Sequence, residues 1–153
     1  MEYSFDHIKK SVEKAIIIIN EKLKNNKFVR GENDCFAFLI EYDNQLRNGS
    51  KLINLKLDPY NSSKEFFTSI NTAGFNSLND LAKYAGYQTK KDKRPQHGDI
   101  AYELLPNRKL GSAMIAADGY WVTTSENDSG IIQRRQIFHY ERRLIFLAKP
   151  IRS

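Results

Sequence analysis

Phe28-Val29-Arg30-Gly31-Glu32-Asn33-Asp34-Cys35-Phe36-Ala37-Phe38-Leu39-Ile40 reads as a glycine turn, a short polar cap and the start of an apolar helix, with the only cysteine of the chain in the first turn. Asn33 or Asp34 can cap that helix, which is expected to run from Cys35 to about Arg47 and to stop at Asn48-Gly49. Phe36, Leu39, Ile40 and Leu46 are expected on its inward side. The exposed N–H groups and the dipole at a helix start favour negative charge, so a thiolate forms here more easily than elsewhere. Glu32 and Asp34 flank the thiol and oppose that effect through like charge. Capping is the plainer role for both.

Upstream, Phe5, Ile8, Val12, Ile16, Ile19 and Leu23 recur at helical spacing and predict an amphipathic helix ending around Asn25-Asn26. Residues 1–27 are read as this N-terminal helix and 28–153 as a single domain. Ile17 and Ile18 fall partly outside the stripe, so the helix is covered on more than one side or offers an apolar edge to a partner. Downstream, Leu52, Leu55 and Leu57 lead to an Asp58-Pro59-Tyr60 turn. Ser62 or Ser63 then opens a helix through Phe66, Phe67 and Ile70 that ends at Gly74. Ser77 or Asn79 opens another through Leu78, Leu81 and Tyr84 that ends at Gly86.

The character changes at Lys90, where a charged linker leads to Gly98-Asp99 and a run of strands. These are expected at Ile100–Leu104, Leu110–Ala117, Tyr120–Thr124, Ile131–Gln133 and Tyr140–Ala148, with Asp118-Gly119 as a hairpin turn. Alternation should send one of Tyr120 and Trp121 to the core and the other outward. Helices first and an antiparallel meander after make the fold class α+β, N-terminal helices packed on a C-terminal sheet.

Composition narrows the function classes. A chain of 153 residues, 41% hydrophobic and 12% aromatic, is long enough for a real core. The net charge of +6 invites an anionic partner, although the basic residues are spread out, with small clusters at Lys90–Arg94, Arg134-Arg135 and Arg142-Arg143. One cysteine excludes an intramolecular disulfide. The longest apolar run, Ala15–Ile19, is too short to span a bilayer, and the N-terminus lacks the pattern of a signal peptide. One cysteine and three scattered histidines do not make a zinc site, and no glycine-rich phosphate loop is present. No metal and no cofactor are therefore expected. Tyr84 and Tyr87 beside Lys90–Arg94 suggest stacking plus charge on nucleic acid, for which an exposed charged loop is the more economical account.

A cysteine opening a helix, then an antiparallel sheet whose first strand begins Gly-Asp, resembles the NlpC family of papain-like cell-wall peptidases. Asp34-Cys35 matches the helix start, Gly98-Asp99-Ile100-Ala101 the strand, and Met114 to Thr124 the hairpin. The chain is similar also to small phage-encoded relatives that share the Gly31–Cys35 stretch. The resemblance implies a papain-like fold with Cys35 at the nucleophile position. Counting back from Asp118-Gly119 puts the catalytic histidine position at Gly111, beside Ser112, and the orienting polar position near Thr123. Phe36-Ala37 replaces the small Ser-Gly pair of the peptidases and is expected to narrow the peptide cleft.

Neither Gly111 nor Ser112 can act as a base. The loss of general acid–base help costs ~10²–10⁴-fold. Only His7, His97 and His139 could substitute. His7 lies in the first helix and His139 before the last strand, and His97 is expected to point to solvent far from Cys35. The resemblance therefore implies a phage virion- or tail-associated structural protein on a degenerate peptidase fold, located in the virion after synthesis in the host cytoplasm. Its partners would be other virion or tail proteins, in multiple copies, with peptidoglycan as a further ligand. Two alternatives stay open: an active cysteine peptidase or amidase on peptidoglycan peptides, with Cys35 as nucleophile and His97 or His139 as base, and a basic nucleic-acid-binding module.

Overall fold

The computed structural model describes residues 2–25, 34–55, 57–91, 94–104, 110–124, 131–135 and 144–152, with side chains except at 25, 63, 103–104, 110–112, 131–135 and 144–146. Val12, Ala15, Ile19 and Leu23 return every three or four residues and form the buried stripe of α1 (Phe5–Asn25). Phe5, expected in that stripe, is instead 60% exposed, with its ring 5.2 Å from the His97 ring. Ile17 is also exposed and Ile18 half-buried.

Asp34, not Asn33, caps α2 (Cys35–Arg47), accepting the Ala37 N–H at 2.9 Å. Asn48 ends the helix in the left-handed conformation, with φ 52°. α2 lies against α1 on one side and the sheet on another. Two faces are therefore buried, and Phe38 and Tyr42 are fully enclosed, whereas Leu39 and Ile40 are only half-buried. A single-stripe reading of α2 missed this because a sandwiched helix has no solvent face of ordinary width.

A short 3₁₀ turn (Lys51–Asn54) follows. Ser62 caps α3 (Ser63–Thr72) through the Glu65 N–H, and Ser77 caps α4 (Leu78–Ala85) through the Asp80 N–H. Gly86, φ 93°, closes α4. The chain then enters the sheet at once.

The strands are β1 (Tyr87–Thr89), β2 (Ile100–Leu104), β3 (Leu110–Ala117), β4 (Tyr120–Thr124), β5 (Ile131–Arg135) and β6 (Leu144–Pro150). They form a sheet of order β1-β6-β2-β3-β4-β5, every described pair antiparallel. β2, β3 and β4 lie where expected. β5 runs on to Arg135, and β6 continues to Pro150; residues 140–143 of its expected start lie outside the described residues. β1 was not foreseen: three residues are too few to show a period of two, and only pairing with β6 (Tyr87↔Pro150, Thr89↔Ala148) makes them a strand. The fold class is α+β.

Alternation splits the sheet residues into two sets. Ile100, Tyr102, Ala113, Ile115, Val122 and Ala148 join the four helices in one core, to which α1 contributes. Ala101, Met114, Ala116, Trp121 and Leu147 form a smaller cluster on the opposite face. Asp118 (φ 48°) and Gly119 (φ 80°) make the two-residue β3–β4 turn, both with positive φ as a type I′ turn requires. Trp121 is 1% exposed and Tyr120 37%, the in-and-out pair expected of neighbours on a strand. No helix among the described residues is long and apolar enough to cross a membrane.

Candidate functional site

Cys35 occupies the first position of α2, half-buried. Its neighbour Asp34 is 2% exposed and has both carboxylate oxygens engaged. One accepts the Ala37 N–H and the other the Tyr60 hydroxyl at 2.6 Å, which ties the turn after Asp58-Pro59 to the helix start. Capping is thus the observed role of Asp34. Gly31, Glu32 and Asn33 lie outside the described residues. Phe36 packs into the helix-side core. It is 8% exposed, turned inward, with its ring 4.8 Å from Phe66. The first turn of a helix laid on a sheet points its bulky side chains into the core, and here Phe66 receives it, itself packed against Tyr60 and Phe67.

The thiol meets the sheet at Ala113. The Ala113 N–H donates to Cys35 Sγ at 3.4 Å, and the Thr123 hydroxyl donates to the Ala113 carbonyl at 2.7 Å. The described β3–β4 ladder runs from Ala117↔Tyr120 to Ile115↔Val122, so its next rung would join Ala113 to Thr124. Side chains of Cys35 and Thr123 take the two polar groups of Ala113 instead. A buried strand residue must have both satisfied, so the sulfur acts here as part of the backbone accounting. Thr123 is fully buried. Alternation puts it on the Trp121 side of β4, away from the helices, while Thr124 shares the Val122 side. The Thr124 hydroxyl is buried with no hydrogen-bond partner among the described residues. Gly111, the expected histidine position, lies on β3 two residues before Ala113, in the stretch where the β2–β3 register shifts.

The described histidines are placed elsewhere. His7 Nε2 is 2.7 Å from the Leu46 carbonyl, at the opposite end of α2. Eleven residues of helix separate Leu46 from Cys35, about 16 Å along the axis. His97 Nδ1 accepts the Asp118 N–H at 3.1 Å, at the hairpin end of β3. Five residues of strand separate Asp118 from Ala113, about 17 Å. His97 is indeed at the far end from Cys35, but it does not point to solvent: its side chain is 9% exposed, and its Nε2 is buried without a partner among the described residues. Phe5 lies over the ring, which is why an otherwise solvated position is closed. His139 lies outside the described residues.

Gly98-Asp99 has a structural role. Gly98, φ 90°, lets β2 start against α1 and α2: a Cβ there would run into the Ile8 side chain and stand 2.9 Å from the Tyr42 hydroxyl. That hydroxyl donates to the Gly98 carbonyl at 2.6 Å. Asp99, 2% exposed, accepts the Lys90 ammonium and the Gln96 N–H, each at 2.8 Å, and so closes the loop before β2. Lys90 is therefore a half-buried partner of Asp99 rather than part of a solvated linker, with a side chain 12% exposed. Tyr87 is 5% exposed and offers no face for stacking a base.

Burial raises the Asp99 pKa, and the Lys90 and Gln96 contacts oppose this only in part. Asp99 then binds its proton more tightly in the folded than in the unfolded chain. Its contribution to stability falls as pH rises from the unfolded value of about 3.9 through the folded one, and is level above that. In Asp99→Asn this component should vanish. Urea unfolding of both proteins from pH 3.5 to 6 is expected to show a wild-type-minus-variant stability difference that declines with pH; a difference that grows with pH would contradict it.

A second buried polar cluster, at Asp43, was not anticipated. Asp43 is fully buried and accepts Arg47 Nε at 2.7 Å, the Tyr87 hydroxyl at 2.6 Å and the Ser50 hydroxyl. Arg47 also donates to the carbonyls of Gly86 (2.6 Å) and Ile151 (2.9 Å), joining α2 to the end of α4 and to the chain after β6. Burial lowers the Arg47 pKa, but the hydrogen bond and charge of Asp43 outweigh it and hold the guanidinium above its usual value. Burial and the Asp43 charge push the Tyr87 hydroxyl well up. The signal in the sequence was the i, i+4 spacing of Asp43 and Arg47, which is indistinguishable from a surface pair without knowing what covers it. Compared with known proteins, the chain matches no family model and no curated protein.

Proposed function

We propose that the chain is a structural or interaction protein of a phage virion or tail, built on a degenerate papain-like (NlpC-type) fold and lacking hydrolysis. The observation that carries the loss of hydrolysis is the state of Cys35. Its sulfur accepts a strand N–H, and the described histidines sit at the far ends of α2 and β3. A thiol needs a base and a proton donor for the leaving amine before it can cleave an amide. In this reading the ancestral nucleophile has become a packing and hydrogen-bonding residue. The virion assignment rests on the resemblance of Gly31–Cys35 and Gly98-Asp99 to the phage-encoded relatives. Other virion components, engaged in multiple copies, are the expected partners, and peptidoglycan a further ligand.

The test is turnover of a peptidoglycan stem peptide by the purified protein, wild type against Cys35→Ala. No turnover is expected from either. Cleavage by the wild type that disappears in Cys35→Ala would overturn the proposal and point to His139 as the base. The same variant carries a stability prediction. Removing the sulfur leaves the Ala113 N–H without its acceptor, so Cys35→Ala is expected to lower unfolding free energy by about 1 kcal/mol or more. Cys35→Ser, which restores an acceptor, should lose less.

A further inference from the structure

We propose that the cleft at the C-terminal end of α2 binds a small, multiply charged oxyanion of the phosphate class. The cleft has a volume of about 560 Å³, within the range of small-molecule sites. The start of α1, the end of α2, the 3₁₀ turn, the end of α4 and the chain after β6 enclose it. Among the described residues its lining includes His7, Arg47, Lys51 and Arg152, and no Asp or Glu. A concave surface of one sign focuses its field and concentrates ligands of the other.

The four groups divide by what they already do. His7 and Arg47 serve the fold. His7 Nε2 contacts the Leu46 carbonyl, and Arg47 donates to Gly86 and pairs with Asp43. The end of α2 and the Gly86 carbonyl, which would otherwise repel an anion, are thereby partly covered by donors. Lys51 and Arg152 remain. Neither makes an ion pair among the described residues. Each lies over a tyrosine ring, Lys51 Nζ 5.6 Å from the centre of Tyr84 and Arg152 Cζ 5.8 Å from the centre of Tyr3. A ring face restrains a cation without neutralising it. Two long side chains held in this way at the rim of the cleft lose less freedom on meeting an anion than two in open water. Gln45 and Asn48 add amide donors to the same lining. The inference is independent of what Cys35 does, because the cleft lies at the other end of its helix.

Pyrophosphate is the probe, titrated into the full chain at constant ionic strength and followed by calorimetry and thermal unfolding. Saturable binding is expected, with a Tm that climbs with the logarithm of pyrophosphate concentration. The double variant K51A/R152A should weaken binding at least tenfold. K24A/K64A, which removes two exposed lysines from α1 and α3, should leave it unchanged. Should the first double variant fail to fold, K51Q and R152Q taken singly should each weaken binding severalfold. Absence of saturable binding at millimolar pyrophosphate would overturn the proposal, as would equal weakening in both double variants, which would mean overall charge rather than a site. A short single-stranded oligonucleotide that displaces pyrophosphate and is itself weakened by K51A/R152A would assign the cleft to a nucleic-acid backbone and overturn the small-ligand reading.

Discussion

Asp43→Ala is expected to lower the unfolding free energy by about 3–5 kcal/mol, the usual cost of breaking a buried charge pair from one side. Asp43 is fully buried, and three side chains donate to it: Arg47, Tyr87 and Ser50. Its removal leaves the Arg47 guanidinium, with a side chain 9% exposed, facing two hydroxyls that have also lost their acceptor. A domain of this size has about 5–15 kcal/mol in all, so the variant should populate unfolded chains at moderate urea. Asp43→Asn keeps the shape and one acceptor oxygen and should fall between wild type and alanine. Urea unfolding of the three proteins is the measurement. An alanine variant within about 1 kcal/mol of wild type would mean that the network is not the tie between α2, α4 and the end of the sheet that its geometry describes.

Gly98→Ala should cost about 2–5 kcal/mol, from two sources that can be separated. Crowding a packed core costs about 1–3 kcal/mol, and a left-handed backbone carrying a Cβ adds about 1–2. The new methyl would meet Ile8 of α1 and the Tyr42 hydroxyl of α2, at a residue whose φ is 90°. In the double variant Ile8→Ala/Gly98→Ala the collision with Ile8 is relieved while the backbone strain stays. Its loss should therefore be smaller than the sum of the two single losses. Simple additivity would show that Ile8 already yields, leaving backbone strain as the main cost.

Much of the path of the chain was legible in residues. The ends of α2 follow from Asp34 and Asn48, those of α4 from Ser77 and Gly86, and the β3–β4 hairpin from Asp118-Gly119. Capping and turn chemistry act within a few residues, and a single sequence carries all of that information. The second buried face of α2 was not legible, because it depends on α1 and the sheet covering the same helix from two sides. β1 was not legible either, since its three residues become a strand only by pairing with β6. At the candidate site, Cys35 at a helix start could be placed from the sequence. That its sulfur meets the Ala113 N–H, and that the neighbouring Thr123 faces away from the helices, needed the β3–β4 register.

The sequence by itself determined the α+β order, the helix ends, the hairpin and the inventory of one thiol and three imidazoles. These are consequences of local sterics, local hydrogen bonding and composition, which act before any long-range contact forms. Tertiary structure alone decided which of those groups meet. It closed His97 under Phe5 and buried Asp43 with Arg47, and it left Lys51 and Arg152 on the rim of one cleft. Contacts between residues far apart in the chain depend on how the layers stack, and stacking sums many weak surface terms that no short stretch of sequence contains.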